Sequence, residues 1–120
     1  NALRIGVKPE QIHEKDIQDF IEIYLNDTFK IPNRVVIGGC NKETKIDIIK
    51  KLSNKMVKGD IFVIPLITIE ILQEIKSIFI ELKFKVLITL VQIQKGLSIA
   101  EGTRFEPNNP VFIIKAKKIN

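Results

Sequence analysis

A chain of 120 residues, 45% hydrophobic and 28% charged, is long enough for one hydrophobic core and has the balance of a folded domain, which excludes wholesale disorder. No apolar run approaches the ~20 residues that span a bilayer, and no basic stretch leading into a hydrophobic segment opens the chain. The net charge of +5 invites an anionic partner, yet Lys42, Lys45, Lys50, Lys51, Lys55 and Lys58 are scattered among acids without interleaved aromatics, a solvated face rather than a nucleic-acid patch.

The single cysteine, Cys40, cannot form an internal disulfide and fits a reducing compartment, so a cytoplasmic protein is expected. Asn1 stands where an initiator methionine would, which leads us to expect a chain that is processed, excised or numbered from within a longer product. Residues 1–7 read as a helix end with Gly6 as its cap, and residues 10–15 as a short, mostly polar strand. Residues 16–25 carry Ile17, Phe20, Ile21 and Tyr24 at helical spacing, broken by Asn26-Asp27 and Pro32-Asn33.

Residues 34–37 form a short β-branched run, the signature of a strand buried on both faces. A helix is expected over 41–57, with Ile46, Ile49, Leu52 and Met56 on one side, ended by Lys58-Gly59-Asp60. Residues 61–64 repeat the buried-strand pattern up to Pro65, and Thr68 caps a second helix carrying Leu72, Ile75, Phe79 and Leu82 inward. A long strand over 84–93, a loop over 94–110 and a last strand over 111–117 complete the chain. Strands alternating with helices require right-handed crossovers and a mainly parallel α/β sheet, and the final pair, joined without a helix, can be antiparallel.

In such sheets ligands sit beyond the carboxyl ends of the parallel strands, which puts Gly38, Gly39 and Cys40 on the functional rim beside Pro65, Leu66 and Ile67. Two glycines there let another molecule approach bare backbone. Cys40 reads as a small packing residue rather than a nucleophile, because no partner base is evident. His13, the only histidine, reads as a surface or core residue, and no spacing of Cys, His and carboxylates suggests a metal. Arg104 is a candidate anion contact, with a surface ion pair to Glu101 or Glu106 as the alternative.

Three segments in order carry a family resemblance: Val35-Val36-Ile37-Gly38-Gly39-Cys40, the run from Lys58-Gly59-Asp60 to Thr68-Ile69-Glu70, and Thr103-Arg104-Phe105 followed by Asn109-Pro110-Val111 and Ile113. Together they resemble the C-terminal half of the precorrin-6B methyltransferases, the decarboxylating, C15-methylating type. A weaker match upstream covers Ile12-His13-Glu14-Lys15-Asp16-Ile17. The resemblance implies a Rossmann-like class I methyltransferase sheet, strand order 3-2-1-4-5-7-6, with residues 1–120 as one partial domain. It implies S-adenosylmethionine as cofactor, Asp16 and Ile17 near its adenine, and Gly38 and Gly39 making room for the reacting groups. Asp16 and Glu14 serve equally well as solvated turn acids. It also implies a tetrapyrrole precursor as substrate, with Thr103 and Arg104 at its carboxylates, and a homo-oligomer, a tetramer.

The departures are specific. No glycine loop of the G-x-G-x-G kind and no ribose-binding acid precede residue 34, so methyl transfer by these residues alone is not expected, and the strand at Arg34 should have an open edge. Pro65 stands where the resembling enzymes have Asn, and Asn41-Lys42 where they have glycines. The reading is therefore a methyltransferase acting on a corrinoid precursor with coupled decarboxylation. The alternative is a non-catalytic binding or assembly module of the same descent. An RNA methyltransferase would rest on charge alone. Leu97, Ile99 and Phe105 in the polar segment 94–110 suggest a surface covered by a second copy, the active-site rim or their own domain.

Overall fold

A computed structural model describes residues 16–26 and 32–120. The readings at Gly6, the strand over 10–15, His13, Glu14 and the break at Asp27 lie outside the described residues. The elements are α1 (Ile17–Asn26), β1 (Arg34–Val36), α2 (Lys42–Ser53), β2 (Ile61–Leu66), α3 (Ile69–Glu81), β3 (Phe84–Val91), β4 (Gln94–Ile99), β5 (Gly102–Pro107) and β6 (Val111–Lys118).

Four strands form one sheet in the order β1-β2-β6-β3. β1 and β2 are parallel, from Arg34 opposite Ile61 to Val36 opposite Val63. β6 is antiparallel to both neighbours, so that Ile114 faces Ile64 on one side and Ile88 on the other. β1, β2 and β3 thus run one way and the last strand the other, the order of the last four strands of the class I methyltransferase sheet. The strands expected over 61–64 and 84–93 share a core but are not adjacent, because β6 lies between them. The alternation of Phe112, Ile114 and Ala116 explains this: Ile114 and Ala116 are fully buried, and the interior slot alone buries such a strand along both edges.

Both long helices start at side-chain caps. Asn41 accepts from the Thr44 amide at 2.8 Å and is the cap rather than the first residue of its helix, and Thr68 accepts from the Ile71 amide at 3.4 Å as the expected cap. α2 ends at Ser53, sooner than expected, and Met56 still reaches the core from the turn that follows. Ile48, Ile49 and Leu52 of α2 and Leu72, Ile75 and Phe79 of α3 bury one face of the sheet against Phe62, Ile64 and Phe84. α1 adds Ile21 to this core, packing beside α2.

The other face of the sheet is open among the described residues. Val36 is 73% and Leu87 61% exposed, with Arg34, Lys85, Lys115 and Lys117 exposed around them. Among the described residues β1 is paired on one side only and forms one edge of the sheet, with β3 at the other.

Residues 94–110 are not a loop. β4 and β5 pair antiparallel from Gln94 opposite Pro107 to Ile99 opposite Gly102, and the Asn108 amide donates to the Ile93 carbonyl at 2.9 Å at the base. Every residue of both strands is exposed, so the polar composition that reads as loop is that of a ribbon with solvent on both faces. The flanking strands β3 and β6 pair as an antiparallel hairpin at one side of the sheet, with β3 at the edge and β6 inside it.

Candidate active-site rim

β1 ends where its alternation meets two glycines. The Ile37 amide still donates to the Val63 carbonyl, at 3.1 Å, and after it the chain leaves the sheet. Gly39 has φ +73, a left-handed conformation that strains any residue with a Cβ, and a Cβ built there would touch nothing within 4 Å. Gly38 lies against β2: a Cβ there would sit 4.0 Å from Pro65 Cγ. Conformation at Gly39 and open approach at both positions are therefore what the sequence encodes in Gly38-Gly39.

The bend separates two grooves. One, of about 560 Å³, runs between α1 and β1 and is lined by Ile17, Phe20, Val36, Gly38 and Gly39 among others. The second, of about 570 Å³, lies beyond the ends of β1 and β2, lined by Cys40, Lys42, Lys45, Pro65, Ile67 and Thr68 among others. Both are mostly apolar and meet at Gly39-Cys40; Arg34 brings charge to the first, and Lys42 and Lys45 bring it to the mouth of the second. There Lys45 Nζ donates to the Cys40 carbonyl, and Lys42 pairs with Glu74 at 3.2 Å, tying the start of α2 to α3.

Of the residues singled out in the sequence, Ile17, Gly38 and Gly39 are brought together in the first groove. Asp16 precedes it as the cap of α1: its carboxylate accepts from the Gln18 amide at 2.9 Å and its carbonyl from the Phe20 amide at 3.0 Å. Thr103 and Arg104 are elsewhere, on β5, and line neither groove. They are opposite Ser98 and Leu97, so successive positions put them on opposite faces of the hairpin. Among the described residues no carboxylate pairs with Arg104, so its ion-pair alternative with Glu101 or Glu106 is not formed. Lys45 was missed as a rim residue. The signal was present, since an Asn cap directly after Gly38-Gly39-Cys40 starts a helix at the rim and points its first turn into the groove. Cys40 is half-buried and free, and among the described residues no three His, Cys, Asp or Glu side chains gather to hold a metal. Among them, too, no helix is long and apolar enough to cross a membrane.

Strand order, the reversed β6 and the glycine rim define the fold as that of the C-terminal half of a class I S-adenosylmethionine-dependent methyltransferase. The chain is similar to a precorrin-6Y C5,15-methyltransferase from Geobacter metallireducens, with 27% identity and a TM-score of 0.67 over 78% of this chain and 49% of that one. A precorrin-8W decarboxylase from Methanobacterium thermoautotrophicum shares the fold over 97% of this chain and 60% of its own, with a TM-score of 0.79 and 23% identity. A precorrin-6Y C5,15-methyltransferase domain from Corynebacterium diphtheriae shares it over 77% and 51%, with a TM-score of 0.59 and 18% identity. The chain thus spans about half to three fifths of the length of these structures. No family model matches it, and no curated protein does.

Proposed function

We propose that this chain forms the substrate-facing half of an S-adenosylmethionine-dependent methyltransferase that methylates a corrinoid precursor and removes a carboxyl group from it. The observation that carries this is the Gly38-Gly39 bend at the end of β1, open on both sides and set in a sheet of methyltransferase order. When bound, S-adenosylmethionine supplies a methyl group on a cationic sulfur. A mostly apolar groove beside bare backbone suits it, and Ile17, Gly38 and Gly39 would hold it there, with Asp16 next to Ile17 in the chain at the start of α1. The second groove would take the substrate carbon, with Lys42 and Lys45 at its mouth for carboxylates. The chain's work is then positioning rather than covalent catalysis.

Thr103 and Arg104 would meet substrate carboxylates from the hairpin or contact a neighbouring copy in a homo-oligomer, a tetramer. Leu97 and Ile99, with Phe105 on the opposite face of the ribbon, support the assembly role. The lone cysteine supports a cytoplasmic location. Calorimetric titration of the full chain with S-adenosylmethionine tests the reading: saturable binding that Gly38→Val weakens is expected. Comparable binding of an unrelated nucleotide, with none of S-adenosylmethionine, overturns it in favour of a non-catalytic assembly module, for which the edge of β1, unpaired among the described residues, speaks.

A further inference from the structure

The end of the sheet away from the glycine rim carries a third concave surface. A cavity of about 510 Å³ is lined by Lys58, Gly59, Lys85, Lys117, Lys118 and Ile119. Its frame is fixed by backbone bonds: the Gly59 amide donates to the Lys118 carbonyl at 3.0 Å, and the Lys118 amide to the Asp60 carbonyl at 2.9 Å. Lys118 is committed to that frame. Its ammonium donates to the Ser53 carbonyl at 3.2 Å and stands 5.0 Å from the centroid of the Phe84 ring.

Lys58, Lys85 and Lys117 are exposed at the cavity and uncommitted. Among the described residues no carboxylate lies within ion-pairing distance of any of them; the two ion pairs found are Lys42–Glu74 and Lys51–Asp47. Asp60, the acid nearest in sequence, is buried and spends its carboxylate on the Val57 amide at 2.9 Å. Lys85 and Lys117 are direct cross-strand partners, an arrangement in which like charges destabilise a sheet, and Lys115 follows on the same face. An anion shared between the two ammonium groups would reverse that repulsion.

We propose that this cavity binds a compact polyphosphate anion. Among the described residues every cation lining it is a lysine, a point charge suited to tetrahedral phosphate oxygens, whereas planar carboxylates favour the arginine fork. Among the described residues no aromatic side chain lines it to stack a base, which separates this surface from one that holds single-stranded nucleic acid. The site is at the opposite end of the strands from the rim and is independent of the methyltransferase reading.

The test is titration of the full chain with inorganic tripolyphosphate at constant ionic strength, followed by amide chemical shifts and calorimetry. Saturable shifts at Gly59, Lys85 and Lys117 are expected, and Lys85→Gln with Lys117→Gln should weaken binding by about tenfold or more. Lys58→Gln, in an exposed turn, provides a second variant should the double one fail to fold, and it should weaken binding in the same direction. Unchanged affinity in the variants, shifts confined to Lys42 and Lys45, an equal response to sodium chloride, or tighter binding of an oligonucleotide of similar charge would each overturn the proposal.

Discussion

Phe62 on β2 and Phe79 on α3 hold their ring centroids 5.4 Å apart at an interplanar angle of 46°, and Phe84 of β3 closes a triangle with them at 5.7 and 5.2 Å. Both Phe62 and Phe79 are fully buried. These tilted contacts bring together two strands that do not hydrogen-bond each other, because α3 spans the gap that β6 fills. Phe79→Ala is expected to lower stability by about 3–5 kcal/mol, seen as a lower denaturant midpoint. A loss under about 1 kcal/mol would mean that the site collapses without a cavity and that the triangle is not the centre of the core.

Gly39 tests the rim. At φ +73 an alanine costs roughly 1–2 kcal/mol, although its Cβ would meet no neighbour within 4 Å. Gly39→Ala should therefore lower the thermal midpoint without a steric clash, and at Gly38 the same change should cost less. Equal losses at the two positions would show that packing, not conformation, selects these glycines.

Lys83 is the one described residue other than glycine with positive φ, at 65, and it follows the Leu82 cap of α3. Glycine is unstrained there, so Lys83→Gly should raise the thermal midpoint by about 3 °C after its greater unfolded-state entropy is allowed for. A fall in midpoint would show that the lysine side chain contributes more than its backbone costs.

The hairpin test concerns assembly. Leu97 and Ile99 share one face of the β4–β5 ribbon with Arg104, and a second copy covering that face would bury both. Replacing both with serine should reduce the mass measured by light scattering while leaving the circular dichroism spectrum intact. An unchanged mass would rule out this face as the contact.

The helices were legible because each joins a capping residue, Asn41 or Thr68, to an inward stripe, and both signals are local. β1 and β2 were legible as β-branched runs ending at Gly38 and at Pro65, although β2 continues to Leu66 alongside β6, with Pro65 lying beyond the last residue that β1 pairs. The β4–β5 hairpin was not. Its two-residue turn, Ala100-Glu101, lacks the usual Asn-Gly signal, and solvent on both faces removes the alternation by which strands are read. Missing the turn hid the register, and with it the separation of Thr103 from Arg104. At the rim, Gly38-Gly39 announced itself through backbone freedom, while Lys45 was marked only by the Asn41 cap that starts α2 beside them, a signal that went unused.

The placement of β6 between β2 and β3 bears on how the chain is made. During synthesis β2 and β3 emerge well before their shared partner, each with an unsatisfied edge and with Phe62 and Phe84 lacking the strand that completes the wall between them. The sheet can close only after Lys118 has left the ribosome. Until then the nascent chain depends on α2 and α3 to shield its apolar side, and this interval is when chaperones would be most needed and aggregation fastest.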